Sequence, residues 1–337
     1  MTADRSSVRM PDFTMLPDLA LRPLGGAVIW ANDELFAEKE NLIRPGPSVY
    51  QPATFGHKGQ IYDGWETRRR RADGIDEAVV RLGVAGVIHG VVVDTAWFKG
   101  NFPPEVSVEG LVVDGYPDPA DIAARTDWTT LVPRSKVYGD TRNPFDVASE
   151  KRWTHVKLTM YPDGGVARFR VHGEGRPDPR LLGAGPLDLA ALENGAMVTD
   201  CSNRFYSSPQ NLLFPGVAKV MGDGWETARR RDGANDWVQV KLAGAGTIRL
   251  AEIDTSYFVG NSPGAAALRG KTEAGEWIDL LDRTTLRADT RHRFLVDDAV
   301  PVTDVRLDIY PDGGLARLRL FGTLTDAAFA EIERRWR

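Results

Sequence analysis

The chain has 337 residues, 42% of them hydrophobic, a net charge of −5 and a single cysteine, Cys201. That length suits two domains of about 150 residues each better than one core, and one cysteine excludes an intramolecular disulfide. The acidic balance, with a pI near 5.7, excludes a dedicated nucleic-acid binder, which carries a net basic domain or stripe.

The N-terminal stretch MTADRSSVRM is polar and lacks the apolar segment of a signal peptide. Pro17–Leu21 is a weak helix candidate. NLIRPG at 41–46 and DGWET at 63–67 come next, the latter running into Arg68–Arg71. The longest apolar stretch, near Val84–Val93, contains His89. It is too short to cross a bilayer, which takes roughly 20 residues, so no membrane partner and a cytoplasmic location are expected. A strand ends at Asp94–Asn101. Val156, Leu158 and Met160 then alternate with polar residues, a Tyr-Pro-Asp-Gly-Gly turn follows, and Ala167, Phe169 and Val171 alternate with Arg168 and Arg170. That pattern reads as a hairpin with one buried face.

GEGRPDPRLLGAGP at 173–186 has the Gly and Pro content of a linker. Beyond it Leu187–Leu192 is a second weak helix candidate, and then the chain repeats itself in order. NLLFPG at 211–216 answers 41–46, 170 residues on; DGWET at 223–227 and DTSYFVGN at 254–261 answer 63–67 and DTAWFKGN at 94–101, 160 on. The second YPDGG, at 310–314, stands 149 after the first. Copy one therefore carries two insertions, between Pro47 and Tyr62 and between Pro103 and Asp127, of the kind that sit in surface loops. Asp326–Trp336 reads as a C-terminal helix with Thr325 as its N-cap. Two whole domains are expected, 16–175 and 186–337. With many short alternating strands between Gly, Pro and Asp turns, each is expected to be an all-β antiparallel jelly roll.

The five histidines, His57, His89, His155, His172 and His292, have no counterparts across the repeat, and no HxxxH, HxH or CxxC spacing occurs. His57, in the first insertion, is the strongest of them, and its role stays open. Serine-elbow and phosphate-loop patterns are missing too. What both copies share is carboxylate, guanidinium and aromatic. Asp63 and Glu66, like Asp223 and Glu226, can face one cavity across a glycine turn, while Trp65 and Trp225 either plug the sandwich end or wall a pocket. Arg69 and Arg70, with Arg229 and Arg230, either brace nearby acids or fork onto a small carboxylate. Asp94, Asn101, Asp254 and Asn261 suit a turn and equally suit hydrogen bonds to a ureido or amide group. The YPDGG turn reads as structural.

The duplicated DGWETxRRR, DTxxFxGN and YPDGGxAR blocks, in that order over residues 20–322, closely resemble allantoicase. The one departure is Tyr62, where the block carries Gly and copy two keeps Gly222. The resemblance implies two galactose-binding-like jelly rolls, a homo-oligomer (trimer or hexamer), and hydrolysis of allantoate to ureidoglycolate and urea. That reaction needs a carboxylate anchor, a proton donor for departing urea and a base for water. Asp63, Glu66, Asp223 and Glu226 are assigned the proton transfers. Arg69, Arg70, Arg229 and Arg230 are assigned the carboxylate, Trp65 and Trp225 the pocket wall, and Asp94, Asn101, Asp254 and Asn261 the ureido arms. No cofactor is expected, and a divalent metal stays compatible with the reaction. Two other readings remain at this point: a sugar-binding jelly-roll pair and an inactive paralogue.

Overall fold

The strand Asp76–Asp94 is 19 residues long and serves two sets of neighbours. The computed structural model describes residues 10–183, 185–297 and 300–336. In the first half of the strand, Ala78–Arg81 pairs antiparallel with Ala27–Ala31 on one side, and Asp76–Arg81 pairs with His155–Met160 on the other. Its second half, Gly90–Asp94, pairs with Arg142–Asp146, and Arg168–Gly175 also joins this strand. The register breaks between Arg81 and Gly86. Gly86 lies so close to the backbone of Glu174 that a Cβ would come within 2.2 Å of the Glu174 carbonyl oxygen. One strand thus belongs to both layers of a jelly roll, and its Val and Ile side chains fill the core between them.

The chain divides into two units, Met1–Glu174 and Gly175–Arg337. The second repeats the scheme on Asp236–Asp254. Met197–Cys201 and Val302–Tyr310 flank the first half of that strand, Arg291–Leu295 and Arg317–Leu324 the second. The register break falls between Lys241 and Gly246, the positions equivalent to Arg81 and Gly86.

This topology corrects the expected hairpin. Arg152–Tyr161 and Arg168–Gly175 do not pair with each other; each pairs with a different half of the long strand. Alternation records which face is buried but not which strand is adjacent. Tyr161-Pro162 and Tyr310-Pro311, both cis, begin the turn that carries the chain from one layer to the other. The two weak helix candidates are not helices either. Asp18 makes a β-bridge to His172, and Leu187–Asp188 is a short strand before the 3-10 turn Leu192–Asn194.

The C-terminal helix Asp326–Trp336 is present, with the Ala328 amide donating to Thr325 Oγ1 at 3.2 Å. Of the two insertions, the first is an exposed two-residue hairpin, Phe55–Gly56 against Gly59–Gln60, with His57 at its exposed tip. The second holds a short helix, Pro119–Ala123, whose Ile122 is buried against Val79, Leu111 and Val113. Among the described residues no helix is long and apolar enough to cross a membrane.

Candidate active site

In unit 1 the DGWE segment is fixed from below by Trp65. Its indole is wholly buried, and Nε1 donates to the Asp33 carbonyl at 2.8 Å. Trp65 and Glu66 then pair with Val166 and Gly165. Thr67 donates its amide to the Gly164 carbonyl at 3.1 Å, and the Gly165 amide reaches the Asn101 carbonyl at 2.7 Å. The glycine at 165 is required: a Cβ there would meet the Phe98 ring at 2.1 Å. Unit 2 reproduces this, with Trp225 wholly buried on the Asn203 carbonyl at 2.9 Å and Glu226 opposite Gly314. Trp65 and Trp225, expected to wall a pocket, are plugs without exposed surface and position the loop.

The YPDGG turn is therefore more than a turn. Its glycines hold Glu66 and Asn101 side by side, and Asn101 Nδ2 donates to Glu66 Oε1 at 2.6 Å. The other carboxyl oxygen, Oε2, is buried and has no hydrogen-bond partner. Burial pushes the Glu66 carboxyl up, against the Asn101 bond and the positive charge of Arg69. Arg69 is mostly exposed and anchored by Nη1 to Asp163 Oδ1 at 2.9 Å. In unit 2 Asn261 Nδ2 donates to Glu226 Oε1, again at 2.6 Å.

Arg70 is not a free fork. Its amide donates to Asp163 Oδ2 at 2.8 Å, and its guanidinium grips the fully buried Asp76. Arg230 does the same with Asp312 and Asp236. An arginine spent on a buried aspartate cannot leave it for a substrate without stranding that charge, so the carboxylate-binding role assigned to Arg70 and Arg230 is withdrawn.

Asp63 is also committed. Arg168 Nη2 donates to both its carboxyl oxygens at 2.9 and 2.8 Å, and the Val49 amide to Oδ2 at 2.8 Å. Burial alone would raise this carboxyl, but Arg168, the Val49 amide and Arg44 outweigh it and hold it below the usual aspartate range. It stays ionised and clamps the loop. Asp223 takes the Lys219 amide at 2.8 Å. Asp94 and Asp254 face their own turns, accepting the amides of Ala96 and Ser256 at 2.9 and 2.8 Å. Both are buried, and their carboxylates are spent on these turns rather than held ready for a ureido arm.

Sequence reasoning missed Asp163, Asp312, Arg168 and Arg317. Their signal was present in the repeated YPDGGxAR block, which supplies both the aspartate that anchors the arginine loop and the buried arginine behind Asp63 and Asp223. The histidines lie elsewhere. His155 is buried, and burial with the charges of Arg81 and Arg125 lowers it to about 4. His172 and His292 bond to the carbonyls of Leu16 and Ile253. Among the described residues no group of three or more His, Cys, Asp and Glu side chains is placed to hold a metal ion.

Fold and site together define a duplicated jelly-roll protein whose units each present a glutamate–asparagine pair on a loop braced by arginines. The allantoicase repeat family matches residues 17–176 and 187–325. The chain is 68% identical to a probable allantoicase of Nocardia farcinica, over 96% of this chain and 98% of that one. It is 39% identical to an allantoicase of Dictyostelium discoideum, over 90% and 86%. The crystal structure of an allantoicase from Saccharomyces cerevisiae superposes with a TM-score of 0.80 at 35% identity, covering 91% of this chain and 92% of that one. The chain belongs to the allantoicase family, which decides against the sugar-binding pair.

Proposed function

We propose that the unit 1 site carries the reaction of this family. The chain is a hydrolase that converts allantoate and water to ureidoglycolate and urea. Allantoate holds two ureido groups and a carboxylate on one carbon, and the bond broken joins that carbon to a ureido nitrogen. Glu66 is the group that moves the proton. The observation that carries this is its geometry: a buried carboxyl with one oxygen fixed by Asn101 and the other without a partner.

Protonated Glu66 donates from Oε2 to the departing nitrogen while the C–N bond breaks and its electron pair leaves with urea. The remaining ureido nitrogen donates its lone pair to the central carbon, giving an imine-like centre. Glu66, now a carboxylate, takes a proton from water as the water oxygen adds to that carbon, and is restored. Arg69, exposed but tethered by Asp163, holds the substrate carboxylate. The Asn101 side-chain oxygen accepts from a ureido N–H. Asp63, Asp94 and Arg70 keep this loop in shape.

Glu66→Gln keeps the Asn101 bond and removes the transferable proton. The variant should fold normally and release urea far more slowly from allantoate; near-wild-type kcat/KM would overturn the assignment. Adding a chelator to the wild type checks the expectation that no metal takes part, which full loss of activity would refute. The remaining parts of this reading are two repeat domains, 16–175 and 186–337, and a cytoplasmic homo-oligomer, trimer or hexamer, supported by the family resemblance. Light scattering that returns a single 37.1 kDa chain would remove the oligomer.

A further inference from the structure

Unit 1 carries three aromatic side chains near the Glu66 loop that the reaction above leaves unused: Tyr50, Tyr62 and Trp97. Tyr50 and Trp97 are 53% and 38% exposed, and Tyr62 is half-buried. Trp97 sits at φ +71°, a left-handed conformation that a bulky residue adopts only when its surroundings impose it. Here they do: its amide donates to Asp140 Oδ1 at 2.8 Å, and its indole Nε1 to the Ser48 carbonyl at 3.0 Å. The indole then stacks on Tyr50, with ring centroids 5.2 Å apart and planes 28° apart.

This stack is fastened to the site. Ser48 Oγ donates to the Asp63 carbonyl at 2.6 Å, and the Val49 amide to the Asp63 carboxylate. Trp97 itself lies in the turn that ends at Asn101, the partner of Glu66. Tyr62 packs on Phe98, with centroids 6.2 Å apart, and Phe98 fills the space beside Gly64 and Gly165. The Tyr62 hydroxyl, pushed up chiefly by burial, donates to Gln60 Oε1 at 3.4 Å, a long bond that a ligand can replace. In unit 2 Gly222 takes the place of Tyr62, and Tyr257 replaces Trp97 at φ +70°. Val220, next to the Lys219 amide that binds Asp223 as the Val49 amide binds Asp63, takes the place of Tyr50.

We propose that Tyr50, Tyr62 and Trp97 form the wall of the substrate site in unit 1, with Trp97 as the platform on which a planar ureido group stacks. This rests on the reading that allantoate reacts at Glu66. A ureido group has a flat delocalised face and a polar edge, so it lies on an indole while its edge takes hydrogen bonds, including one from the Tyr62 hydroxyl. The wall thereby determines specificity for an acid bearing ureido arms.

The test measures kcat and KM for allantoate separately. Trp97→Ala should raise KM about tenfold with kcat within about twofold of wild type, a size set by one aromatic stacking contact. Trp97→Phe should fall between, and Tyr257→Ala should leave both constants unchanged. An unchanged KM in Trp97→Ala, or an equal rise in Tyr257→Ala, overturns the proposal. If Trp97→Ala does not fold, Trp97→Gly, which adopts positive φ without strain, carries the same measurement. If Glu66→Gln turns over normally, the acid assignment fails, while the KM of the Trp97 variants still decides the wall.

Discussion

Both units hang a glutamate on the same short strand and give it the same 2.6 Å bond, Asn101 to Glu66 and Asn261 to Glu226. Around that shared pair they differ. Glu66 is buried to 8% exposure with an unpartnered oxygen, whereas Glu226 is only partly buried. Arg168 grips the Asp63 carboxylate, whereas Arg317 reaches only carbonyls, among them that of Asp223 at 2.7 Å. Buried without a carboxylate on it, and beside Arg319, Arg317 is pushed down to about 10. Unit 1 alone carries Tyr50 and Tyr62. Duplication has preserved the scaffold in both copies, since both need the Trp plug and the glycine turn to fold. Burial of the acid and the aromatic wall are found in one, which is why we assign turnover to unit 1.

The largest effect should come from the two glutamates. Glu66→Gln should lower kcat/KM about 10²- to 10⁴-fold, the range of a positioned acid–base group, and Glu226→Gln less than about twofold. Equal losses would mean that both units work. Next come the buried arginines. Arg168→Ala takes from Asp63 its buried guanidinium, leaving the Val49 amide and the exposed Arg44, and should cost roughly 3–5 kcal/mol of unfolding free energy. Arg317→Ala removes bonds to carbonyls and breaks no carboxylate pair, and should cost less. Denaturant unfolding of both variants orders them, and the reverse order would undo this contrast. Smaller again, Arg69→Lys should raise KM for allantoate about tenfold by losing a bidentate fork, while Arg229→Lys leaves it unchanged.

Much of this was legible in the sequence. The repeat displayed two copies of one fold because short motifs such as DGWET and YPDGG tolerate little change where a plug or a glycine contact demands one residue. Glu66 and Asn101 were each legible as site candidates, but not as partners of one another, a contact that only the fold brings about. Pairing partners were not: Val156–Met160 and Ala167–Val171 alternate alike whether they face each other or separate strands, so the hairpin was misread. Nor was burial. Trp65 looked like a pocket wall and Arg70 like a free fork because the sequence does not show Asp33 or Asp76 arriving from below. Arg168 was hidden in a strand whose alternation made it look like a solvent-facing residue, although it is 3% exposed.

The smallest expected effect bears most directly on why Glu66 is buried. Its carboxyl is raised in the folded state, chiefly by burial, so the folded protein binds that proton more tightly than the unfolded chain does. The associated stability is therefore fully present below the unfolded pKa, about 4.3 for a glutamate, and is lost as pH rises through the folded value. Above both, wild type carries the cost of a buried charge that Glu66→Gln never has. The variant should match wild type in acid and exceed it in Tm at pH 8, where each 1 kcal/mol reads as about 2–4 °C for a unit of this size. The same substitution should thus abolish turnover and stabilise the fold, as expected of a group held in place for chemistry at a cost in stability. A Tm difference that is flat with pH, or that grows toward acid, would show that Glu66 is an ordinary buried brace like Asp76.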